Sequence, residues 1–206
     1  MEQAAIAPPA HDAHAAHGAV ETSTGVTNTK LAMWIFLSSE CLLFGALIAT
    51  YLLYRDRSKG LSASSVYNIP FTSATSFILL MSSLTMVLAL AAIQRGDYRR
   101  TKIWIIATAL FGMTFIGGPI YEFTEFTRKG LTVSSNLFGS SFYLLTGLHG
   151  LHVTVGIVWL LSLWGLVSQG KLQQRHSETV EIAGLYWHFV DVVWIVIFTV
   201  VYLIPR

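Results

Sequence analysis

Ionisable side chains recur inside long apolar runs of this sequence, at spacings that place them together on a helix. His188 and Asp191 stand three residues apart in one run, and His149 and His152 have the same spacing in another. Glu40 lies within a third run. A charged side chain at the centre of a bilayer costs at least about 2.5–3.5 kcal/mol, so it usually marks a functional site or a buried polar contact. These five residues are therefore the first candidates for chemistry.

Paired ligands and paired hydrogen-bonding groups have the same spacing, so two interpretations compete. Three pairs of ionisable residues share a helix face: His149 and His152, His188 and Asp191, and Glu122 and Glu125. Di-iron sites in helical bundles use a Glu-x-x-His motif on each of two helices, and helical zinc sites use His-Glu-x-x-His. Neither motif occurs in this sequence. The pattern favours interhelical hydrogen bonds that fix packing over a di-metal centre.

Glu40 lies about nine residues into its apolar run, near the middle of a membrane span. An unpaired carboxylate at that depth would take up a proton, because the bilayer does not stabilise its charge. One interpretation is a site that exchanges protons or faces lipid. The other is a neutral acid that is hydrogen-bonded to a neighbouring helix. The sequence leaves both open, and no run of polar residues connects these groups to either surface as a proton relay would require.

The composition predicts the elements that hold these residues. Only 12% of the residues are charged, against about 25% in a typical soluble domain, and the mean hydropathy is +0.58. Several apolar runs exceed the roughly 18 residues that a membrane-spanning helix needs. The sequence thus predicts an all-α polytopic membrane bundle of five transmembrane helices. The spans are placed at about 31–54, 71–94, 102–126, 138–168 and 181–204.

The remaining composition narrows the function. Residues 1–30 form a predicted polar, histidine-containing N-terminal tail, and residues 31–206 form the five-helix domain. A net charge of +2 is too weak to indicate a nucleic-acid partner, and the single cysteine, Cys41, excludes an internal disulfide. No nucleophile-elbow, phosphate-loop or dinucleotide-binding motif is found, which argues against an independent enzyme.

The distribution of basic residues predicts the orientation. Lys30, Arg95, Arg99, Arg100, Lys102, Lys171 and Arg175 fall on one side of the membrane, and Arg55, Arg57, Lys59, Arg128, Lys129 and Arg206 fall on the other. The numbers are close, and the dense cluster between Arg95 and Lys102 decides the prediction. Because cytoplasmic loops carry the excess of Lys and Arg, the N-terminus is predicted to be cytoplasmic and the C-terminus outside.

Four stretches of this sequence resemble subunit III of the heme–copper respiratory oxidases. They read WIFLSSE at 34–40, YEF at 121–123, FGSSFY at 138–143 continuing into TGLHGLHVT at 146–154, and YWHFVDVVW at 186–194. They follow the order of the family and cover nearly all of residues 31–206. On these motifs the chain is identified as a member of that family, in its bacterial five-helix form.

The resemblance implies a role inside a larger complex in the bacterial plasma membrane. Subunit III carries no cofactor, while heme and copper lie in partner subunits, where subunit I reduces oxygen to water and pumps protons. The resemblance implies direct packing against subunit I, subunit II in the same complex, bound phospholipid from the membrane, and support of proton uptake.

The resemblance also gives roles to the candidate residues. Glu40 matches the intramembrane carboxylate of the family, which is linked to protons and lipid. The other candidates match polar positions interpreted as structural: Glu122, His149, His152, His188 and Asp191.

The electron donor is harder to predict. The order Thr-Gly-x-His-Gly at 146–150 looks more like cytochrome c oxidases, whereas the short length and the tail suit quinol oxidases. Cytochrome c is the favoured prediction, with a quinol oxidase or a subunit III-like protein of nitric oxide reductase as alternatives. A proton-coupled transporter or a di-metal membrane enzyme would be functions of a different class.

Overall fold

The chain forms a bundle of long helices in the structure, which is a computed structural model describing residues 25–55, 69–128 and 137–204. The helices are α1 (Asn28–Arg55), α2 (Ile69–Gln94), α3 (Tyr98–Arg128), α4 (Leu137–Ser168) and α5 (Ser177–Phe198). A 3-10 turn at Gln174–His176 precedes α5, and a π-helical turn at Thr199–Leu203 continues it. All five helices are long and apolar enough to cross a membrane. The predicted all-α bundle with five transmembrane helices is confirmed.

The helices begin between one and four residues before the predicted spans. The largest differences are at α3, which begins at Tyr98, and at α5, which begins at Ser177. Hydropathy detects only the part of a helix that lies in hydrocarbon, whereas a first turn hydrogen-bonds to water or to capping side chains. The extra residues are mostly polar in α1, α3 and α5, whereas in α2 and α4 they are the apolar Ile69, Pro70 and Leu137.

The fifth helix lies at the centre of the bundle and the first lies at its edge. Helix α5 packs against α2 and α4, α3 lies between α2 and α4, and α1 contacts α4 and α5. Half of the apolar window of α5 is buried, compared with 11% of that of α1. Most of the surface of α1 is consequently left for lipid or for another protein.

A tight turn joins α2 to α3. The Gly96 N–H donates to the carbonyl of Ile93 at 3.0 Å, and the Asp97 N–H donates to that of Ala92 at 3.0 Å. This is the Schellman arrangement, which needs a left-handed residue, and Gly96 has φ +74°. Asp97 then caps α3 by accepting a hydrogen bond from the Arg100 N–H at 3.0 Å. The turn fixes the basic residues around it at the helix ends.

Two predictions fall on parts of the chain that the structure does not describe. Residues 1–24 of the predicted tail lie outside the described residues, so the division at residue 30 stays a prediction, while α1 begins at Asn28. The backbone of Glu122 lies in α3, but its side chain is outside the described part, and its polar packing role stays a prediction.

Candidate functional site

The indole of Trp187 in α5 is almost fully buried and contacts three other helices. It is 1% exposed. Its Nε1 donates to the Ser82 hydroxyl of α2 at 2.8 Å. Gly112 of α3 and Gly156 of α4 both lie against the ring, since a Cβ built on Gly112 would come within 2.6 Å of it and one on Gly156 within 2.9 Å. The two glycines are therefore the reason that the ring fits between α3 and α4.

Two serines of α2 accept hydrogen bonds from the two indole N–H groups of α5. Trp194 donates to the Ser76 hydroxyl at 2.8 Å, in the same way that Trp187 donates to Ser82. Each serine directs its own proton to a carbonyl of α2, Ser76 to Thr72 at 2.6 Å and Ser82 to Leu79 at 2.5 Å. Their lone pairs are left free for α5. Because α2 and α5 run antiparallel, two tryptophans seven residues apart meet two serines six residues apart.

A third serine of α2 joins the predicted His188–Asp191 pair. The Ser83 hydroxyl lies 2.8 Å from His188 Nδ1 and donates to Asp191 Oδ2. A hydroxyl has one proton, so the donation to Asp191 leaves its lone pair to accept from an Nδ1–H of His188. In the reverse arrangement, Asp191 would carry the proton and Ser83 would donate to His188. Either way one of the two flanking groups holds a proton that points at Ser83.

Asp191 and His149 are the two buried ionisable groups with unused hydrogen-bonding capacity. Asp191 is 2% exposed and His149 is 1% exposed. Among the described residues, Oδ1 of Asp191 and both ring nitrogens of His149 have no hydrogen-bond partner. The His149 ring instead stacks on Trp194, with centroids 5.0 Å apart, and Phe115 packs against it edge-on. In the described part of the chain, His149 thus contributes through its ring face.

Glu40 and His152 form the polar contact between α1 and α4. His152 Nε2 lies 3.2 Å from Glu40 Oε2, and both side chains are 15% exposed. His152 Nδ1 lies 2.9 Å from the Leu148 carbonyl, which can only accept, so Nδ1 carries a hydrogen. Nε2 then either accepts from a protonated Glu40 or donates, as an imidazolium, to its carboxylate. In both cases one hydrogen lies between the two side chains.

Both ends of α1 are held to α5 by polar contacts. Lys30 Nζ lies 2.7 Å from Glu181 Oε1, and the Thr27 hydroxyl donates to Glu178. At the other end, the buried Arg55 donates to carbonyls in and just after the π-helical turn, those of Val200 at 3.3 Å and Ile204 at 2.9 Å. The parallel helices α1 and α5 are therefore fixed in register.

Of the pairs that their spacing had grouped, one stays together in the structure and one does not. His188 and Asp191 meet through Ser83, while His152 turns to Glu40 and His149 turns to Trp194. Within the described residues, no group of three or more His, Cys, Asp or Glu side chains could hold a metal ion.

Sequence reasoning missed several residues of this network: Ser76, Ser82, Ser83, Gly156 and the interhelical role of Arg55. One signal was present, because Ser76 and Ser83 are seven residues apart in the apolar run of α2. That spacing places them on one face, where lipid offers no partner for a hydroxyl. No comparable signal marks Gly156 or Arg55.

Comparisons with known proteins agree on one family. The model of the family "Cytochrome c oxidase subunit III" matches residues 12–205. The chain is 40% identical to cytochrome c oxidase subunit 3 of Bacillus sp. (strain PS3), over 85% of this chain and 86% of that protein. It is 38% identical to quinol oxidase subunit 3 of Bacillus subtilis (strain 168), over 92% and 96%. It is 36% identical to cytochrome bo(3) ubiquinol oxidase subunit 3 of Pseudomonas aeruginosa, over 94% and 92%.

Proposed function

Because the chain belongs to the cytochrome c oxidase subunit III family, we propose that it stabilises and protects the catalytic subunit of a heme–copper terminal oxidase. It is a multi-pass membrane protein, and its family implies a complex with other oxidase subunits. Within that complex we propose direct packing against subunit I, with subunit II as a further member. Heme and copper belong to those partners, and this chain contributes packing, lipid contact and support of proton uptake.

The observation that carries this proposal is the family match over residues 12–205. The polar groups of the described bundle give it physical support, because they are arranged as contacts between helices. Glu40 meets His152, and Ser83 meets both His188 and Asp191. The exposed apolar side chains of α1, such as Leu42 at 77%, give a surface for lipid or for subunit I.

Purification from the native membrane through a tag on this chain tests the proposal. The expected result is a coloured complex with larger co-purifying chains and heme bands in the reduced-minus-oxidised spectrum. A mild detergent and a parallel purification after crosslinking in the membrane control for loss of partners. A colourless chain that is alone in both preparations would contradict the proposal and favour a transporter or a di-metal enzyme.

We propose cytochrome c as the electron donor of the complex, on the order Thr-Gly-x-His-Gly at 146–150. Quinol is the second candidate, because the chain aligns to 96% of the Bacillus subtilis quinol oxidase subunit 3 and to 86% of the cytochrome c oxidase subunit 3 of Bacillus sp. (strain PS3). Oxygen consumption by the purified complex with reduced cytochrome c, and separately with a quinol, distinguishes the two. Turnover with quinol alone would reject the first candidate.

We propose that Glu40 is the residue linked to protons and lipid, while His149, His152, His188, Asp191 and Glu122 pack helices together. Glu40 is suited to this role because it lies 3.2 Å from His152 on α1, the helix at the edge of the bundle with the least buried apolar window.

Glu40→Gln is expected to leave the complex assembled and to change its proton uptake or shorten its active lifetime during turnover. Glutamine keeps the size of the side chain and a hydrogen bond to His152, but it cannot exchange the proton. Proton uptake and the decay of oxygen consumption are measured in vesicles. Glu181→Gln, which makes the same change near the beginning of α5, is the control. Wild-type proton uptake and lifetime in Glu40→Gln would reject this role.

We propose that the N-terminus is cytoplasmic and the C-terminus outside. The basic residues around the α2–α3 turn support this orientation. The five spans of the described residues place the two ends of the bundle on opposite sides of the membrane. Cysteine labelling in intact cells tests it with Cys41→Ser as background. Arg99→Cys is expected to resist a membrane-impermeant reagent until the cells are opened. Labelling of Arg99→Cys in intact cells would show that the protein has the opposite orientation.

A further inference from the structure

We propose that a cleft between the end of α2 and the start of α3 binds one anionic phospholipid. The phosphate would lie between Arg95 and Arg100, and one acyl chain would run down the apolar wall of the cleft. The proposal depends only on the chain spanning a membrane and does not rest on a role in an oxidase. It concerns a different part of the bundle from Glu40, which lies on α1.

The cleft has the size and lining that a lipid requires. Its volume is about 400 Å³, within the range of about 300–1,000 Å³ that is usual for small-molecule sites. Leu88 and Ala91 of α2 form one wall, and Ile103 and Trp104 of α3 form the other. Ile103 is 52% exposed, so the apolar wall opens to the side of the bundle. An acyl chain can therefore enter from the membrane and remain partly in contact with other lipids.

The depth of the cleft matches the two parts of a phospholipid. Its charged rim is at the α2–α3 turn, where two spans end and where the headgroups lie. Leu88 precedes Arg95 by seven residues, or about 10 Å of helix, which reaches into the hydrocarbon. Trp104 follows Gly96 of the turn by eight residues, as Leu88 precedes it by eight, so the two side chains line the cleft at about the same depth.

The rim has an excess of positive charge and a fixed orientation. Asp97 Oδ2 lies 3.3 Å from Arg100 Nε, and Asp97 Oδ1 accepts from the Arg100 N–H. Asp97 therefore holds Arg100 in place and leaves its terminal nitrogens available, since 72% of the Arg100 side chain is exposed. Arg95 adds a second guanidinium to the lining. Guanidinium groups match phosphate oxygens in geometry, and basic residues at a membrane surface attract anionic lipids.

The net charge of the rim selects the class of lipid. The two arginines outnumber the single acid, and Arg99 and Lys102 extend the positive field around the turn. A lipid with a choline headgroup would bring a further positive charge to this field. A headgroup of the phosphatidylglycerol type carries only the phosphate charge, and it is the occupant we propose.

Native mass spectrometry of the intact complex, with bound lipids counted, tests the charged half of the site. The complex is delipidated and then titrated with phosphatidylglycerol or phosphatidylcholine in mixed micelles. Arg95→Gln with Arg100→Gln is expected to remove one bound phosphatidylglycerol and to leave phosphatidylcholine unchanged. Arg99→Gln with Lys102→Gln is the matched control, because it removes the same charge from the same turn outside the cleft, and it is expected to retain the lipid.

A phosphatidylglycerol with a photoreactive group on its acyl chain tests the apolar half. In the wild type it is expected to label the peptide that contains Ile103 and Trp104. Ala91→Trp, which fills the cleft and leaves the rim charges in place, is expected to abolish this label. Glycerol phosphate in excess is expected not to compete, which distinguishes a lipid from a free phosphate.

Three outcomes would overturn the proposal. The first is an equal phosphatidylglycerol count in the arginine variant and the wild type. The second is competition by glycerol phosphate alone, which would reduce the site to an anion site. The third is a wild type in which the photoreactive lipid labels no peptide of α2 or α3, while this cleft crosslinks to another subunit. That result would show that a protein fills the cleft. The photolabelling of the wild type needs no variant to fold.

Discussion

Gly112→Ala is expected to destabilise the bundle by about 1–3 kcal/mol, the usual cost of overpacking a close-packed core. The new methyl group would lie 2.6 Å from Cη2 of Trp187. The indole cannot move aside easily, because it also touches Gly156 and its Nε1 is bonded to Ser82. Equilibrium unfolding in mixed detergent micelles measures the loss, and release of the chain from its complex on heating gives a second measure.

Other glycines of the bundle provide the control for this prediction. A Cβ built on Gly147 or Gly165 of α4 would meet no described atom within 4 Å beyond its chain neighbours and the nearby backbone of its own helix. Alanine at either position is expected to be neutral or to stabilise by up to about 1 kcal/mol, because alanine is the better helix former. Trp187→Phe combined with Gly112→Ala is expected to recover part of the loss, since the ring atom in the clash is removed. Equal stability of Gly112→Ala and Gly147→Ala would contradict the role given to Gly112.

Ser83→Ala is expected to lower the free energy of unfolding by about 1–3 kcal/mol, the cost of a buried polar group without a partner. The Ser83 hydroxyl bonds to Asp191 and His188 at once. Asp191 Oδ1 has no hydrogen-bond partner in the described part of the chain. Loss of Ser83 would also remove the hydrogen bond to Oδ2, so that bond would be lost without a replacement. An average interhelical hydrogen bond in a membrane protein contributes only about 0.6 kcal/mol. The loss expected for Ser83→Ala is larger, because the buried carboxyl group of Asp191 would lose the hydrogen bond from Ser83.

Ser162→Ala is the matched control, because the Ser162 hydroxyl is exposed and bonds only to the Val158 carbonyl of its own helix. It is expected to have little effect on unfolding. The double variant Ser83→Ala with Asp191→Leu is expected to be less damaging than the sum of the two, since no carboxyl group is left without a partner. If the two losses simply add, the Ser83–Asp191 contact does not stabilise the bundle.

The helices could be predicted from the sequence because hydropathy responds to the bilayer itself. The largest differences were the polar first turns of α3 and α5, which begin at Tyr98 and Ser177. The family could also be predicted, because its motifs lie in four stretches in order. In both cases the signal is local in the sequence and does not depend on which helices become neighbours.

The partners of the polar residues could be predicted only in part. Three-residue spacing correctly placed His188 and Asp191 together, but it could not identify Ser83 on another helix as the group between them. The same spacing suggested that His149 and His152 act as a pair, yet they contact different neighbours. Spacing defines a face of one helix, whereas the partner depends on how the helices pack.

The glycines show the same limit. Gly112 and Gly147 are equivalent in the sequence, since each lies in an apolar run. The position of Trp187, which comes from α5, leaves no room for a Cβ at Gly112, whereas a Cβ at Gly147 would meet no described atom of another helix within 4 Å. A steric requirement of this kind is a property of two distant segments together, so neither segment shows it alone.

The attachment of α1 has a consequence for biosynthesis. As the first of the five spans in chain order, α1 enters the membrane before the helices that hold its polar groups. His152, the partner of Glu40, lies on α4, and Arg55 donates to carbonyls beyond α5. Until those last helices arrive, a nascent chain carries a carboxyl group and a guanidinium without these contacts. The polar groups of α1 therefore gain these contacts only after α4 and α5 have been synthesised and inserted.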